Sequence, residues 1–155
     1  AFDGYYEKKW FPYTMPISDI YGLRAAFNLI AGDKTLYERH ARIGSATRAA
    51  VKEAGLKLHL QSGYSNTVTV FDIPECTDAK SILDEMRTKY NIMLAGSFDE
   101  LSGKVIRIGH MGENARLEHM VPALEALYAT LTDLGVTLQG NLADLFLKHY
   151  REFQD

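Results

Sequence analysis

Apolar residues recur at helical spacing in five stretches of this chain, and caps or glycines bound most of them. The first stretch begins at Ser18, a good N-cap, and ends at Gly32. Pro122 lies inside the fourth and predicts either a kink or a later start of that helix. The five predicted helices cover residues 18–32, 33–55, 78–90, 114–135 and 141–153.

Four shorter stretches favour strands, either by alternation or by β-branched composition. They cover residues 56–60, 67–73, 92–94 and 104–109. The resulting order is two helices, two strands, a helix, two strands and two helices, which contains a split β–α–β unit. It predicts the α+β class: a two-layer sandwich in which a small, mostly antiparallel sheet is covered by helices on one face.

The first 17 residues differ from the rest because they combine six aromatic side chains with Pro12 and Pro16. Each proline disfavours helix at the residue before it. The pattern therefore predicts an extended aromatic segment over residues 1–17 and a folded domain over residues 18–155. Such a segment rarely folds alone, so we expect it to lie against another surface of this chain or of a longer protein.

Charge and cysteine content narrow the choice of partners and compartment. The net charge is −3, with 17 basic and 20 acidic residues interspersed, which argues against a nucleic-acid partner. No stretch has the length of a transmembrane helix, so no membrane partner is expected. The single cysteine, Cys76, excludes an internal disulfide and fits the reducing cytoplasm, where we expect the protein to act.

The segment Lys104–Gly112 carries the most informative chemistry, since it places one arginine in an apolar strand that ends at a glycine-rich turn. Alternate side chains of a strand point to opposite faces, so Ile106 and Ile108 share one face and Arg107 points to the other. The planar fork of a guanidinium on a rigid strand suits a carboxylate or a phosphate. The alternative is an arginine that pairs with a structural acid or lies in solvent.

No other side chains form a recognisable catalytic or metal-binding pattern. The five histidines are neither paired at helical spacing nor close to Cys76, so no metal site is expected. Motifs for phosphate-binding loops and for activated serines are missing from the sequence. His110 is the one histidine near Arg107, since it follows Arg107 in the same glycine-rich turn. The alternative to a role beside Arg107 is a turn histidine that is exposed to water.

Several segments of the chain carry a family resemblance: Phe11–Pro16, Ser18–Ala26, Asn66–Val70 with Ile73–Glu75, and Gly103–Gly112. They occur in matching order and spacing over most of the chain. Together they resemble the C-terminal small domain of the class V aminotransferases, in particular the alanine–glyoxylate and serine–pyruvate group. The resemblance implies the C-terminal domain of a fold-type-I transferase that depends on pyridoxal 5'-phosphate.

The same resemblance implies an enzyme that transfers an amino group between a small amino acid and a 2-oxo acid and works as a homodimer. In this family, the arginine at the position of Arg107 binds the substrate's α-carboxylate. The threonine at the position of Thr14 reaches the cofactor phosphate of the neighbouring subunit. Phe11 departs from the family pattern, because an aromatic hydroxyl often stands at that position.

The family's Schiff-base lysine, its pyridinium aspartate and its ring-stacking aromatic residue all lie upstream of the aromatic segment. The resemblance therefore implies no catalytic residue within this chain. We expect a C-terminal domain fragment that follows a large domain, and that alone neither binds the cofactor tightly nor transaminates. The predicted helix over residues 141–153 extends beyond the family's usual end.

Two other functions stay open from the residues alone. A small-molecule-binding regulatory module with a ferredoxin-like α+β fold would also have helices on one face and an anion-binding arginine. A pure assembly domain would leave Arg107 buried and salt-bridged. The aromatic segment over residues 1–17 favours the aminotransferase, because a regulatory module has no need of it.

Overall fold

The computed structural model describes residues 2–9 and 13–153, which divide into two compact units between Leu36 and Tyr37. The first unit contains helix α1 over Phe2–Lys8 and helix α2 over Ile17–Gly32. The predicted division after residue 17 concerns the organisation of a longer protein, and it stays a prediction.

Helix α1 corrects the prediction of an extended conformation over residues 1–17, which is wrong for residues 2–8. Both prolines of this region lie C-terminal to α1 and therefore do not oppose it. Asp3 in its first turn and Lys8 in its last turn complement the helix dipole. The charges at the two ends of α1 therefore favour a helix over residues 2–8, where the aromatic content had indicated an extended segment.

Helix α2 begins two residues earlier than the predicted N-cap at Ser18 implies. Pro16 occupies the N-cap position, and Ser18 lies within the first turn rather than at the cap. The helix ends at Gly32, as predicted. None of its side chains is buried, so α2 has no core of its own within the first unit.

The second unit, in the part that the structure describes, contains four helices, two strands and two short 3-10 turns. The helices are α3 (Leu36–Glu53, which starts at the boundary residue), α4 (Ala79–Tyr90), α5 (Leu117–Asp133) and α6 (Leu142–Glu152). The strands are β1 (Val68–Asp72) and β2 (Val105–Gly109). The 3-10 turns span Asp99–Leu101 and Gly112–Asn114.

Two of these helices begin at the side-chain caps that the sequence indicates. Asp78 accepts a hydrogen bond from the backbone N–H of Ser81 at 3.0 Å, which starts α4. Asn141 accepts a hydrogen bond from the backbone N–H of Ala143 at 2.8 Å, which starts α6. The starts of α4 and α6 are therefore confirmed.

The start of α5 differs from the prediction. Asn114 does not cap this helix, since it belongs to a 3-10 turn, and α5 begins at Leu117. Pro122 lies inside the helix and so does not mark its start. The 3-10 turn that contains Asn114 lies between β2 and α5 along the chain.

The two strands pair in antiparallel register, with Phe71 opposite Ile106 and Val70 opposite Arg107. The predicted outer strands over residues 56–60 and 92–94 are wrong as regular strands. In the first, only Leu58 forms a β-bridge, with Phe71. Beside the second, the bridge forms at Ala95, with Arg107. Asn91, the residue before this stretch, ends α4 in a left-handed conformation with φ of 54°.

The two faces of the sheet differ in burial. Thr69, Phe71, Ile106 and Ile108 are buried on one face, whereas Arg107 is half-buried on the other. Apolar side chains from α3, α4, α5 and α6 join the buried face in one core. The α+β fold, with an antiparallel sheet packed against helices, is confirmed.

The C-terminal helix α6 belongs to this core. Leu142, Ala143 and Phe146 are buried. The Arg42 Nε on α3 donates a hydrogen bond to the backbone oxygen of Tyr150 at 2.7 Å, and its guanidinium carbon lies 4.1 Å from the Tyr150 ring centroid. Helix α6 is therefore an integral part of the second unit rather than an appendage.

Candidate functional site

Arg107 is anchored by the chain segment beside β2. Its backbone N–H donates to the carbonyl oxygen of Ala95 at 2.7 Å, and its Nε donates to the carbonyl oxygen of Gly96 at 2.5 Å. The centroid of the Phe98 ring lies 5.6 Å from its guanidinium carbon. These contacts hold the side chain through its Nε and place an aromatic ring beside its guanidinium, so that Nη1 and Nη2 are the donors left for a ligand.

No acidic side chain among residues 2–9 and 13–153 forms an ion pair with Arg107. Other arginines of this part of the chain do form such pairs, for example Arg87 with Asp84 and Arg116 with Glu113. The structural-acid alternative for Arg107 is therefore not what the described residues show. A half-buried guanidinium that is anchored but not neutralised suits an external carboxylate.

A groove of about 740 Å³ lies beside Arg107 in the second unit. Its walls include three methionines, Met93, Met111 and Met120, and its polar lining includes His119. A mostly apolar groove with a small number of placed polar groups is typical of a small-molecule site. The arrangement can therefore receive a small organic acid whose carboxylate meets the guanidinium.

His110 is fully buried, which corrects the interpretation of it as a turn residue exposed to water. Its Nδ1 lies 3.2 Å from the carbonyl oxygen of Asn66, and its Nε2 lies 2.9 Å from the hydroxyl oxygen of Thr69. Because a carbonyl only accepts, Nδ1 carries the proton and Nε2 accepts from Thr69. Burial lowers the pKa of His110 to about 4, so the ring is neutral near pH 7. Both of its nitrogens are engaged in hydrogen bonds within the protein.

Helix α3 covers His110 and holds the chain on both sides of it. A Cβ atom at Gly44 would lie 3.2 Å from His110 Cε1 and 3.2 Å from Asn66 Cα, so only glycine allows this approach without adjustment. One turn earlier, His40 Nε2 accepts a hydrogen bond from the backbone N–H of Gly112 at 3.1 Å. One turn later, Arg48 Nη1 donates to the backbone oxygen of residue 65 at 2.9 Å.

The sequence analysis missed this role of α3. The α3 residues that contact His110 and the chain segments near it recur every four positions, at His40, Gly44 and Arg48. This spacing places them on one face of a helix. That spacing was the available signal. What the face contacts depends on the packing of distant segments, and the sequence alone did not show it.

Thr14 lies in the exposed segment of the first unit just before α2. Its hydroxyl suits one hydrogen bond to a phosphate oxygen, but a single exposed hydroxyl does not make a cofactor site. Phe11, the departure from the family pattern, lies outside the described residues. The cofactor role of Thr14 therefore stays a prediction.

The part of the chain that the structure describes shows neither a cluster of metal-binding side chains nor a membrane-spanning helix. Within it, no three histidine, cysteine or acidic side chains are grouped so that they could hold a metal ion. None of its helices combines the length and the apolar character that crossing a membrane requires.

Comparisons with known proteins give a consistent set of relatives, although no family model matches the chain. The serine–glyoxylate aminotransferase of Methylorubrum extorquens is 39% identical over 131 residues, which are 82% of this chain and 32% of that protein. The serine–glyoxylate aminotransferase of Arabidopsis thaliana is 36% identical over 149 residues, which are 91% of this chain and 37% of that protein.

The solved structures agree with the sequence relatives. A crystal structure of pyridoxamine–pyruvate aminotransferase from Mesorhizobium loti superposes with a TM-score of 0.83 at 31% identity. The match covers 92% of this chain and 38% of that one. This chain therefore spans about a third of the length of the proteins that it resembles.

Proposed function

This chain belongs to the class V aminotransferases, enzymes that depend on pyridoxal 5'-phosphate, and from this premise we propose that it is the C-terminal small domain of such an enzyme. The enzyme would transfer an amino group between a small amino acid and a 2-oxo acid. The domain would supply the arginine that binds the substrate carboxylate. Sequence relatives support the reaction class, and the geometry at Arg107 supports the residue.

The observation that carries the proposal is the guanidinium of Arg107, which is anchored through Nε but makes no ion pair within the described residues. Nη1 and Nη2 can donate two parallel hydrogen bonds to the two oxygens of an α-carboxylate. Since β2 holds the arginine on its outer face, the bound substrate would be held in one orientation. The groove beside Arg107 would receive the remainder of the substrate.

When bound to the whole enzyme, pyridoxal 5'-phosphate supplies the electron sink for the reaction. In this chain, the Thr14 hydroxyl would donate a hydrogen bond to the cofactor phosphate of the neighbouring subunit, and Arg107 would orient the substrate. His110 takes no part in proton transfer in this proposal, because both of its ring nitrogens are occupied and buried. We therefore expect the isolated chain neither to bind the cofactor tightly nor to transaminate.

The reactions of the relatives support a substrate class for this protein. Those named above act on serine and glyoxylate or on pyridoxamine and pyruvate. Glyoxylate and pyruvate are both small 2-oxo acids with one carboxylate, which matches one guanidinium beside a groove. We propose a small 2-oxo acid as the amino acceptor, and a homodimer as the working form.

Replacement of Arg107 by alanine in the full-length protein tests this function. A bidentate, charge-assisted contact would be lost, so kcat/KM for the amino acid and for the 2-oxo acid should fall by about 10- to 100-fold. Steady-state kinetics with each substrate varied in turn provides the measurement. Arg87→Ala is the matched control, because Arg87 is exposed on α4 and paired with Asp84. Wild-type kinetics in the Arg107 variant would overturn the assignment.

A further inference from the structure

Phe98 is an exposed aromatic residue whose position the turn around it fixes. Its side chain is 75% exposed. The backbone oxygen of Phe98 accepts a hydrogen bond from the N–H of Leu101 at 3.1 Å, and Asp99 accepts one from Ser102 at 3.1 Å. Phe98 is therefore the N-cap residue of a hydrogen-bonded 3-10 turn, and not part of an unstructured loop.

The ring of Phe98 has a specific neighbour despite this exposure. Its centroid lies 5.6 Å from the guanidinium carbon of Arg107, within the range of a cation–π interaction. Gly96, two residues before Phe98, holds the same guanidinium through Nε. The segment from Ala95 to Phe98 therefore contacts three parts of Arg107: the backbone N–H, Nε and the guanidinium group.

Phe98 is not among the residues that line the groove beside Arg107. A ring that contacts the guanidinium without lining the groove leaves the groove accessible to a ligand. An apolar ring also takes the place of water as a neighbour of a guanidinium. A charged group with fewer water neighbours attracts an opposite charge more strongly, because the local dielectric constant is lower.

We propose that Phe98 is a positioning residue for carboxylate recognition, acting through Arg107. This inference rests on the proposed function, in which Arg107 binds the substrate carboxylate. The ring holds the guanidinium in the orientation that presents Nη1 and Nη2 to the groove, and it shields the ion pair from solvent. Phe98 thereby raises the affinity for both carboxylate substrates without taking part in the chemical step.

Three substitutions at this position separate a cation–π role from simple packing. Phe98→Ala removes the ring, Phe98→Leu keeps an apolar side chain without a ring, and Phe98→Tyr keeps the aromatic face. In the full-length enzyme, Phe98→Ala and Phe98→Leu should raise KM for the amino acid and the 2-oxo acid by about two- to five-fold, with kcat unchanged. Phe98→Tyr should retain the wild-type KM.

The ionic-strength dependence of KM gives a second readout. An ion pair that is open to solvent is screened more strongly by salt, so KM in Phe98→Ala should rise more steeply with added NaCl than in the wild type. Tyr64→Ala is the matched control. Tyr64 is 40% exposed and its ring lies 4.9 Å from the guanidinium carbon of Arg48, so the control removes the same kind of contact elsewhere.

The outcomes distinguish this inference from the proposed function when Arg107→Ala is measured in parallel. If Arg107→Ala lowers kcat/KM while Phe98→Ala and Phe98→Leu keep the wild-type KM, this inference is wrong and the proposed function stands. If Arg107→Ala has wild-type kinetics, the proposed function itself fails. Equal losses in Phe98→Tyr and Phe98→Ala, or a fall in kcat alone, would also overturn the role of the aromatic face.

Discussion

Arg107 and His110 stand three residues apart, yet their surroundings differ in the property that decides what each can do. Arg107 is half-buried on the outer face of the sheet and has no ion pair among the described residues. His110 is fully buried, and both of its ring nitrogens have protein partners. A charged side chain that is anchored but has no acidic partner can bind a ligand. A side chain whose hydrogen-bonding atoms all have protein partners stabilises the fold instead.

The largest expected effect tests the structural side of this comparison. His110→Leu leaves the Thr69 hydroxyl and the Asn66 carbonyl without their partner, so the free energy of unfolding should fall by about 3 kcal/mol. Urea denaturation of the 155-residue chain at pH 7 measures it. His119→Leu is the control, since His119 is exposed. The free energy of unfolding of Arg107→Ala should stay within about 1 kcal/mol of the wild-type value. Equal losses of stability in His110→Leu and Arg107→Ala would contradict the structural difference between the two residues.

The pH dependence of stability sharpens the same comparison. Burial lowers the pKa of His110 from 6.5 in the unfolded chain to about 4 in the folded one. Between these pH values His110 is protonated in the unfolded chain but not in the folded chain. The free energy of unfolding therefore falls as the pH falls from 6.5 to 4. The loss attributable to His110 should reach about 3 kcal/mol at pH 4.

Urea denaturation across this pH range measures the loss, with His110→Leu as the reference. The carboxyl groups with lowered pKa values, such as those of Glu53 and Asp72, lose stabilising contacts in acid in both proteins. The difference between the two curves therefore isolates His110. Parallel curves would show that the folded ring titrates normally and is not buried as described.

The smallest effect concerns the helix that covers His110. Gly44→Ala places a Cβ against His110 and the backbone of Asn66, so overpacking should destabilise the chain by about 1–2 kcal/mol. Gly22→Ala is the matched control in α2, because nothing lies within 4 Å of a Cβ there. Alanine at that control site should stabilise by about 0.5 kcal/mol. Thermal unfolding of both variants provides the measurement, and stabilisation in both would show that α3 does not press on His110.

Local signals in the sequence predicted much of the second unit correctly. The caps at Asp78 and Asn141 start their helices because each side chain bonds an N–H only two or three residues ahead. The face of Arg107 was also predictable, because strand side chains alternate whatever lies beyond the strand. The resemblance to the aminotransferases came from short motifs in order, and the comparisons confirm it.

Features that depend on distant partners were predicted less well. The outer strands over residues 56–60 and 92–94 are reduced to bridges at Leu58 and Ala95, because a strand exists only as far as its neighbour continues the ladder. Helix α1 is an exception, because the charges at its ends, Asp3 and Lys8, are a local signal for a helix that its aromatic residues and the later prolines obscure.

The sequence by itself determined the class of fold, the side of the strand that Arg107 occupies and the family to which the chain belongs. Each of these depends on periodicity, caps or short motifs that can be read along the chain without knowing which distant segments pack together. Only the tertiary structure decided that His110 is buried, since α3 approaches it at Gly44 from far away in the chain. It also decided that Arg107 is held by Gly96 and Phe98 without a neutralising acid among the described residues, because burial and charge pairing are set by which segments pack together.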